Sequence, residues 1–134
     1  MTNIIYSKFK NAMIIDDNEI DIFIASHVML KHSFAENIIK YTDPKEALNY
    51  LIINQDDTTA LPEVILLDIM MPLMNGFEFM ENYEQLNNKI KKHCKVFIVS
   101  STIDKEDLQR AEDDINVVGF QVKPIDHKFI NSIS

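Results

Sequence analysis

The stretch Val64-Ile65-Leu66-Leu67-Asp68-Ile69-Met70-Met71-Pro72-Leu73-Met74-Asn75-Gly76 decides how this chain is read. Its first four residues are apolar and predict a short buried strand that ends in Asp68. Pro72 takes the chain out of regular structure, because proline lacks an amide hydrogen and restricts the residue before it, Met71. Asn75-Gly76 is a turn pair able to adopt positive φ, and it leads into the next helix. A carboxylate is thus held at the carboxyl end of a buried strand beside a rigid loop. In open α/β sheets that edge is where ligands bind. Taken alone, Asp68 reads as a strand-end acid bonded to loop amides; what changes the reading is a second acidic cluster and a lysine at other strand ends.

Upstream, residues 1–10 show no clear pattern, and Ala12-Met13-Ile14-Ile15 predicts a buried strand ending in Asp16-Asp17-Asn18. Asp17 or Asn18 can cap the helix expected over 19–32. Its inward face is read as Ile20, Phe23, Ile24, His27, Val28 and Leu30 or Lys31, with Glu19, Asp21, Ser26 and Lys31 outward. Residues 37–41 predict a second strand. Thr42-Asp43-Pro44 then starts a helix over 45–54 that buries Ala47, Leu48, Leu51 and Ile52.

Downstream, a third helix is expected from Gly76 to about Leu86, with Phe77, Phe79, Met80 and Tyr83 inward. Residues 87–95 read as a basic, polar connector. Val96-Phe97-Ile98-Val99 predicts a fourth strand, ending in Ser100-Ser101-Thr102. A weak polar helix over 104–112 has Ile103, Leu108 and Ala111 as its apolar anchors. Residues 117–122 supply a fifth strand, stopped by Lys123-Pro124, and 125–134 a short final helix. Strands that alternate with helices at spacings too long for hairpins predict a doubly wound parallel α/β sheet, as one domain over 1–134.

Composition narrows the function. The formal net charge is -8, from 21 acids against 13 bases. That argues against sequence-independent nucleic-acid binding and against docking on anionic membranes. Cys94 is the only cysteine, so no intramolecular disulfide is possible, and the four histidines have no metal-ligand spacing. No apolar run approaches the ~18 residues of a membrane span, and no signal-peptide core is present. The chain reads as cytoplasmic. With Gly76 and Gly119 its only glycines, a dinucleotide fingerprint is impossible, and no phosphate-binding Gly-Lys loop occurs.

In such a sheet all carboxyl ends share one edge. The strands deliver Asp16 and Asp17, Asp68, Ser100 and Lys123 to it. Two unit charges at 4 Å interact by about 4 kcal/mol at an effective dielectric of 20. Three carboxylates together therefore call for a cation, and a hard divalent ion such as Mg2+ fits oxygen donors.

Taken in order, Asp16-Asp17, the run from Leu67 to Gly76, Ser100 and Lys123-Pro124 closely resemble a response-regulator receiver domain of two-component signalling, over nearly the whole chain. The resemblance implies the flavodoxin-like (βα)5 fold with strand order 2-1-3-4-5. It implies that Asp68 takes a phosphoryl group from a sensor histidine kinase or a histidine phosphotransfer protein. Asp17, Asp68 and the backbone carbonyl of Met70 would hold Mg2+ directly, and Asp16 directly or through water. Lys123 would neutralise charge on the transferring oxygens, and a cis Lys123-Pro124 peptide would aim it. Ser100 and Phe120 would be the switch residues, Phe120 standing where tyrosine is frequent. Met70 and Thr102 would tune dephosphorylation.

The exposed side of helix 19–32 would dock the phosphodonor, and the face from Ile103 to Glu112 with the fifth strand would meet an unknown downstream protein. The final segment is shorter than the family's usual last helix, so it is expected to be short or truncated. Catalysis would be limited to magnesium-dependent self-phosphorylation and autodephosphorylation. The alternative is a pseudo-receiver, an interaction module that is never phosphorylated.

Overall fold

The computed structural model describes residues 6–102 and 104–134. Among these, five strands run as β1 (Phe9–Ile15), β2 (Ala35–Tyr41), β3 (Val64–Asp68), β4 (Lys95–Ser100) and β5 (Val117–Val122). Between and after them lie α1 (Glu19–Lys31), α2 (Pro44–Ile53), α3 (Gly76–Glu84), α4 (Asn88–His93), α5 (Lys105–Asp113) and α6 (His127–Ser132). Every strand pairing is parallel and the spatial order is β2-β1-β3-β4-β5. This is the flavodoxin-like order expected from the resemblance. No helix among the described residues is long and apolar enough to cross a membrane.

Successive strand residues face opposite sides of the sheet, so a sheet covered on both sides needs continuous apolar runs. Ala12, Ile14, Val64, Leu66 and Val99 pack against Ile22, Ala25 and Met29 of α1 and Phe129 and Ile130 of α6. On the other face, Met13, Ile15, Ile65, Leu67 and Val96 meet Ala47 and Leu51 of α2, Phe79, Met80 and Tyr83 of α3, and Ile90 of α4. A smaller cluster of Ile69, Phe77, Ile98 and Ala111 lies under α5, with Phe120 half-buried against it. β3 is buried along its whole length, which leaves Asp68 at the centre of the carboxyl edge.

Several expectations need correction. The inward face of α1 is Ile22, Ala25, Ser26 and Met29, whereas Ile20 and Phe23 are each 69% exposed and Leu30 and Ile24 also face solvent. Apolar residues recur at helical spacing on both faces of α1, so periodicity cannot choose between them. The cap chooses: Asn18 Oδ1 accepts from the Ile20 and Asp21 amides at 2.9 and 3.2 Å. The Asn18 amide in turn donates to Asp16 Oδ1 at 2.9 Å, which locks the helix start to the strand end.

In the connector over 87–95 there is instead a helix, α4. Asn87 caps it by accepting from the Ile90 amide at 3.0 Å, and the fully buried Ile90 anchors it. One apolar residue in a polar stretch is too faint a pattern to read. On α2, Ala47 and Leu51 are buried as expected, but Ile52 is exposed.

The positive φ of the β3–α3 loop falls at Leu73 (70°), and Gly76 does not use it. Glycine is needed at 76 for close approach, since a Cβ there would sit 2.6 Å from the Asp68 carbonyl oxygen. The Asp43 cap and Pro44 start α2 as expected. The final helix is short, at six residues. α5 begins at its Asp104 cap and buries Ala111 alone, with the Arg110 guanidinium 4.1 Å over the Phe77 ring. The expected anchor Ile103 lies outside the described residues.

Candidate functional site

Four strand ends converge at the carboxyl edge. Asp16 and Asp17 follow β1, Asp68 closes β3, Ser100 closes β4 and Lys123 follows β5. Asp16, Asp68 and Ser100 are buried, at 2%, 4% and 2% exposure, while Asp17 is exposed. The Lys123 amide donates to the Ser100 carbonyl at 2.7 Å, and the Lys123-Pro124 peptide is cis, as the resemblance implies.

The Lys123 ammonium is the hub of the charge network. Its Nζ lies 2.8 Å from Asp16 Oδ2, 2.9 Å from Asp21 Oδ2 and 3.3 Å from Asp68 Oδ1. Burial pulls this ammonium down, but hydrogen bonds to Asp16 and Asp21 and the nearby negative charges outweigh it, so the group stays above the ordinary lysine value. Asp68 is pushed up from 3.8 to about 6, first by burial and then by the charge of Asp16, with Lys123 pulling the other way. A carboxylate so placed is desolvated yet partly neutralised by the lysine.

Carboxylate oxygens of Asp16, Asp17 and Asp68 all lie within 4.8 Å of one another. Three hard oxygen donors this close, two of them on buried residues, fit a divalent cation of the magnesium or manganese kind. The other expected site residues are less closely tied to these carboxylates. Ser100 Oγ accepts from the Thr102 amide at 3.4 Å. The side chains of Met70 and Thr102 are exposed, and Phe120 rests half-buried against the cluster beneath α5.

Asp21 was missed as a site residue, because the reading of α1 put it on the solvent face as a docking residue. With Ile22 and Ala25 turned into the core, Asp21 instead reaches Lys123. The signal that could have found it is the cap: once Asn18 is taken as N-cap, Asp21 falls in the first turn, beside the sheet edge.

A family model for the response regulator receiver domain matches residues 12–133. The chain is 27% identical to a two-component response regulator from Cytophaga hutchinsonii, whose crystal structure it matches with a TM-score of 0.85 over 92% of each chain. A response regulator receiver protein from Dyadobacter fermentans DSM 18053 is also 27% identical, with a TM-score of 0.82 over 92% of this chain and 94% of that one. Among curated proteins, the probable methanogenesis regulatory protein FilR2 of Methanothrix harundinacea (strain 6Ac) is 26% identical over 113 residues. That alignment covers 84% of this chain and 71% of the relative. A sheet of this order carries many unrelated activities, so the match along nearly the whole chain decides the matter: the chain belongs to the response regulator receiver domain family of two-component signalling.

Proposed function

We propose that Asp68 accepts a phosphoryl group from a phosphohistidine on a sensor histidine kinase or histidine phosphotransfer protein in the cytoplasm, and that the aspartyl phosphate changes a surface read by a downstream protein. The observation that carries this reading is the Lys123 ammonium 3.3 Å from Asp68 within a cluster of strand-end carboxylates. An Asp68 carboxylate oxygen attacks phosphorus as the bond from phosphorus to the imidazole nitrogen breaks, its electron pair staying on that nitrogen. Lys123 neutralises charge on the transferring oxygens from its place beside Asp68, so little reorganisation is needed at the moment of transfer. Asp16, Asp17, Asp68 and the carbonyl of Met70 would hold Mg2+, which when bound supplies further positive charge to the same oxygens.

After transfer, Ser100 donates its hydroxyl to a phosphoryl oxygen and Phe120 repacks beside it. These two changes bias the position of α5 and β5, the surface offered to the downstream protein. The stripe Ile20, Phe23, Ile24 and His27 on α1 docks the helical phosphodonor; Phe23 and His27 already stack at 6.1 Å between ring centroids. The protein turns over no separate substrate.

The test is incubation with acetyl phosphate and Mg2+, followed by intact mass spectrometry beside Asp68→Ala. A magnesium-dependent gain of one phosphoryl mass in the wild type alone is the expected result. No gain, with a range of histidine kinases also failing, would make this a pseudo-receiver. A gain that persists in Asp68→Ala would move the chemistry to another residue.

A further inference from the structure

Both oxygens of Asp16 are already engaged. Oδ1 accepts from the Asn18 amide at 2.9 Å, and Oδ2 accepts from the Lys123 ammonium at 2.8 Å. A divalent cation held among these carboxylates pushes the ammonium away from Asp16 Oδ2, because two positive centres this close repel each other. Asp21 offers it a place to go. Its Oδ2 is 2.9 Å from the same Nζ, and it stands apart from the three acids whose oxygens cluster. Its place is set by the helix start, since the Asp21 amide is capped by Asn18 Oδ1 at 3.2 Å. Its side chain is 33% exposed, against 3% for Asp16 and 5% for Asp68, so it meets the lysine from the solvent side.

Resting on the phosphoacceptor reading above, we infer that Asp21 is a positioning residue: it takes the Lys123 ammonium from Asp16 when a divalent cation binds, and keeps it beside Asp68. Without the Asp21 carboxylate the ammonium settles on Asp16 and competes with the cation.

The test is the Mg2+ affinity of the full chain, measured by titration calorimetry with no phosphodonor present. Asp21→Asn is expected to weaken Mg2+ binding about fivefold, and in a Lys123→Met background the same substitution should change it less than about twofold. Glu19→Gln, which removes an acid from the same helical turn, should also have less than about a twofold effect. Equal weakening by Asp21→Asn in both backgrounds, or by Glu19→Gln, would mean that Asp21 acts only through its charge and would overturn the inference. A crystal structure with Mg2+ bound gives a second readout that needs no variant to fold. The Lys123–Asp21 contact should persist and the Lys123–Asp16 contact should be lost; a retained Lys123–Asp16 contact would overturn the inference. Wild-type Mg2+ binding that is indifferent to Asp17→Asn would instead bring down the cation site itself, and with it the reading on which this role rests.

Discussion

Replacing Asp68 by asparagine should make the protein more stable, and the gain should depend on pH. Asp68 is held above its ordinary value of 3.8, at about 6, by burial and the charge of Asp16, with the Lys123 attraction already offset against them. An acid whose folded-state value is raised binds its proton more tightly in the folded chain than in the unfolded one. Stability therefore falls as pH rises from about 4 to about 6, and stays lower above that. The difference between 3.8 and about 6, at 1.36 kcal/mol per pH unit, comes to about 3 kcal/mol. Asp68→Asn keeps the shape and removes the charge. At about pH 7 in chelator it should unfold about 3 kcal/mol harder, or about 10 °C higher in Tm.

At about pH 4 the two proteins should unfold alike. Urea unfolding followed by circular dichroism across this range reads the gap directly, and adding Mg2+ to the wild type should narrow it. A gap that does not widen between about pH 4 and 6, or a less stable Asn variant, would refute the electrostatic reasoning.

Three other outcomes are expected. Phe23→Asp on the exposed stripe of α1 should slow transfer from the cognate phosphodonor about thirtyfold, the size of one interface hot spot, and leave labelling by acetyl phosphate unchanged. Gly76→Ala forces a Cβ to 2.6 Å from the Asp68 carbonyl oxygen; it should cost about 2 kcal/mol in urea unfolding and slow acetyl phosphate labelling by displacing the nucleophile. Met70→Asn should speed autodephosphorylation, because an amide can orient water where a thioether cannot; radiolabel loss that is unchanged or slower would count against this.

What the sequence made legible was whatever a local rule determines. β3 is a continuous apolar run ended by an acid, and Asp43-Pro44 is a cap followed by a residue that fits the first turn of a helix but not its interior. The phase of α1 was hidden because both of its faces are apolar, and the choice is made by Asn18 and by what the sheet needs covered. That error carried the role of Asp21 with it. Asp21 belongs to the Lys123 network, so the exposed Phe23 is the cleaner probe of the docking surface. α4 was hidden because its only anchor is Ile90. The need for Gly76 was read as a matter of φ, whereas it is set by a backbone atom eight residues earlier in the chain, a contact no local rule contains.

The light fastening of α5 has its own consequence. Ala111 is its one buried side chain, a methyl group worth only about 1 kcal/mol out of water, and the Arg110 guanidinium over Phe77 adds about 0.5–1 kcal/mol at an exposed site. A single hydrogen bond to a charged group, about 1.5–3 kcal/mol, is on the same scale. Helix α1, held by Ile22, Ala25, Ser26 and Met29, would need several times as much to move. Under the proposed function, the firmly bolted helix is the one offered to the phosphodonor, and the more lightly held helix is the one offered to the downstream protein. A single phosphoryl contact would then be on the scale needed to shift α5 while leaving α1 in place.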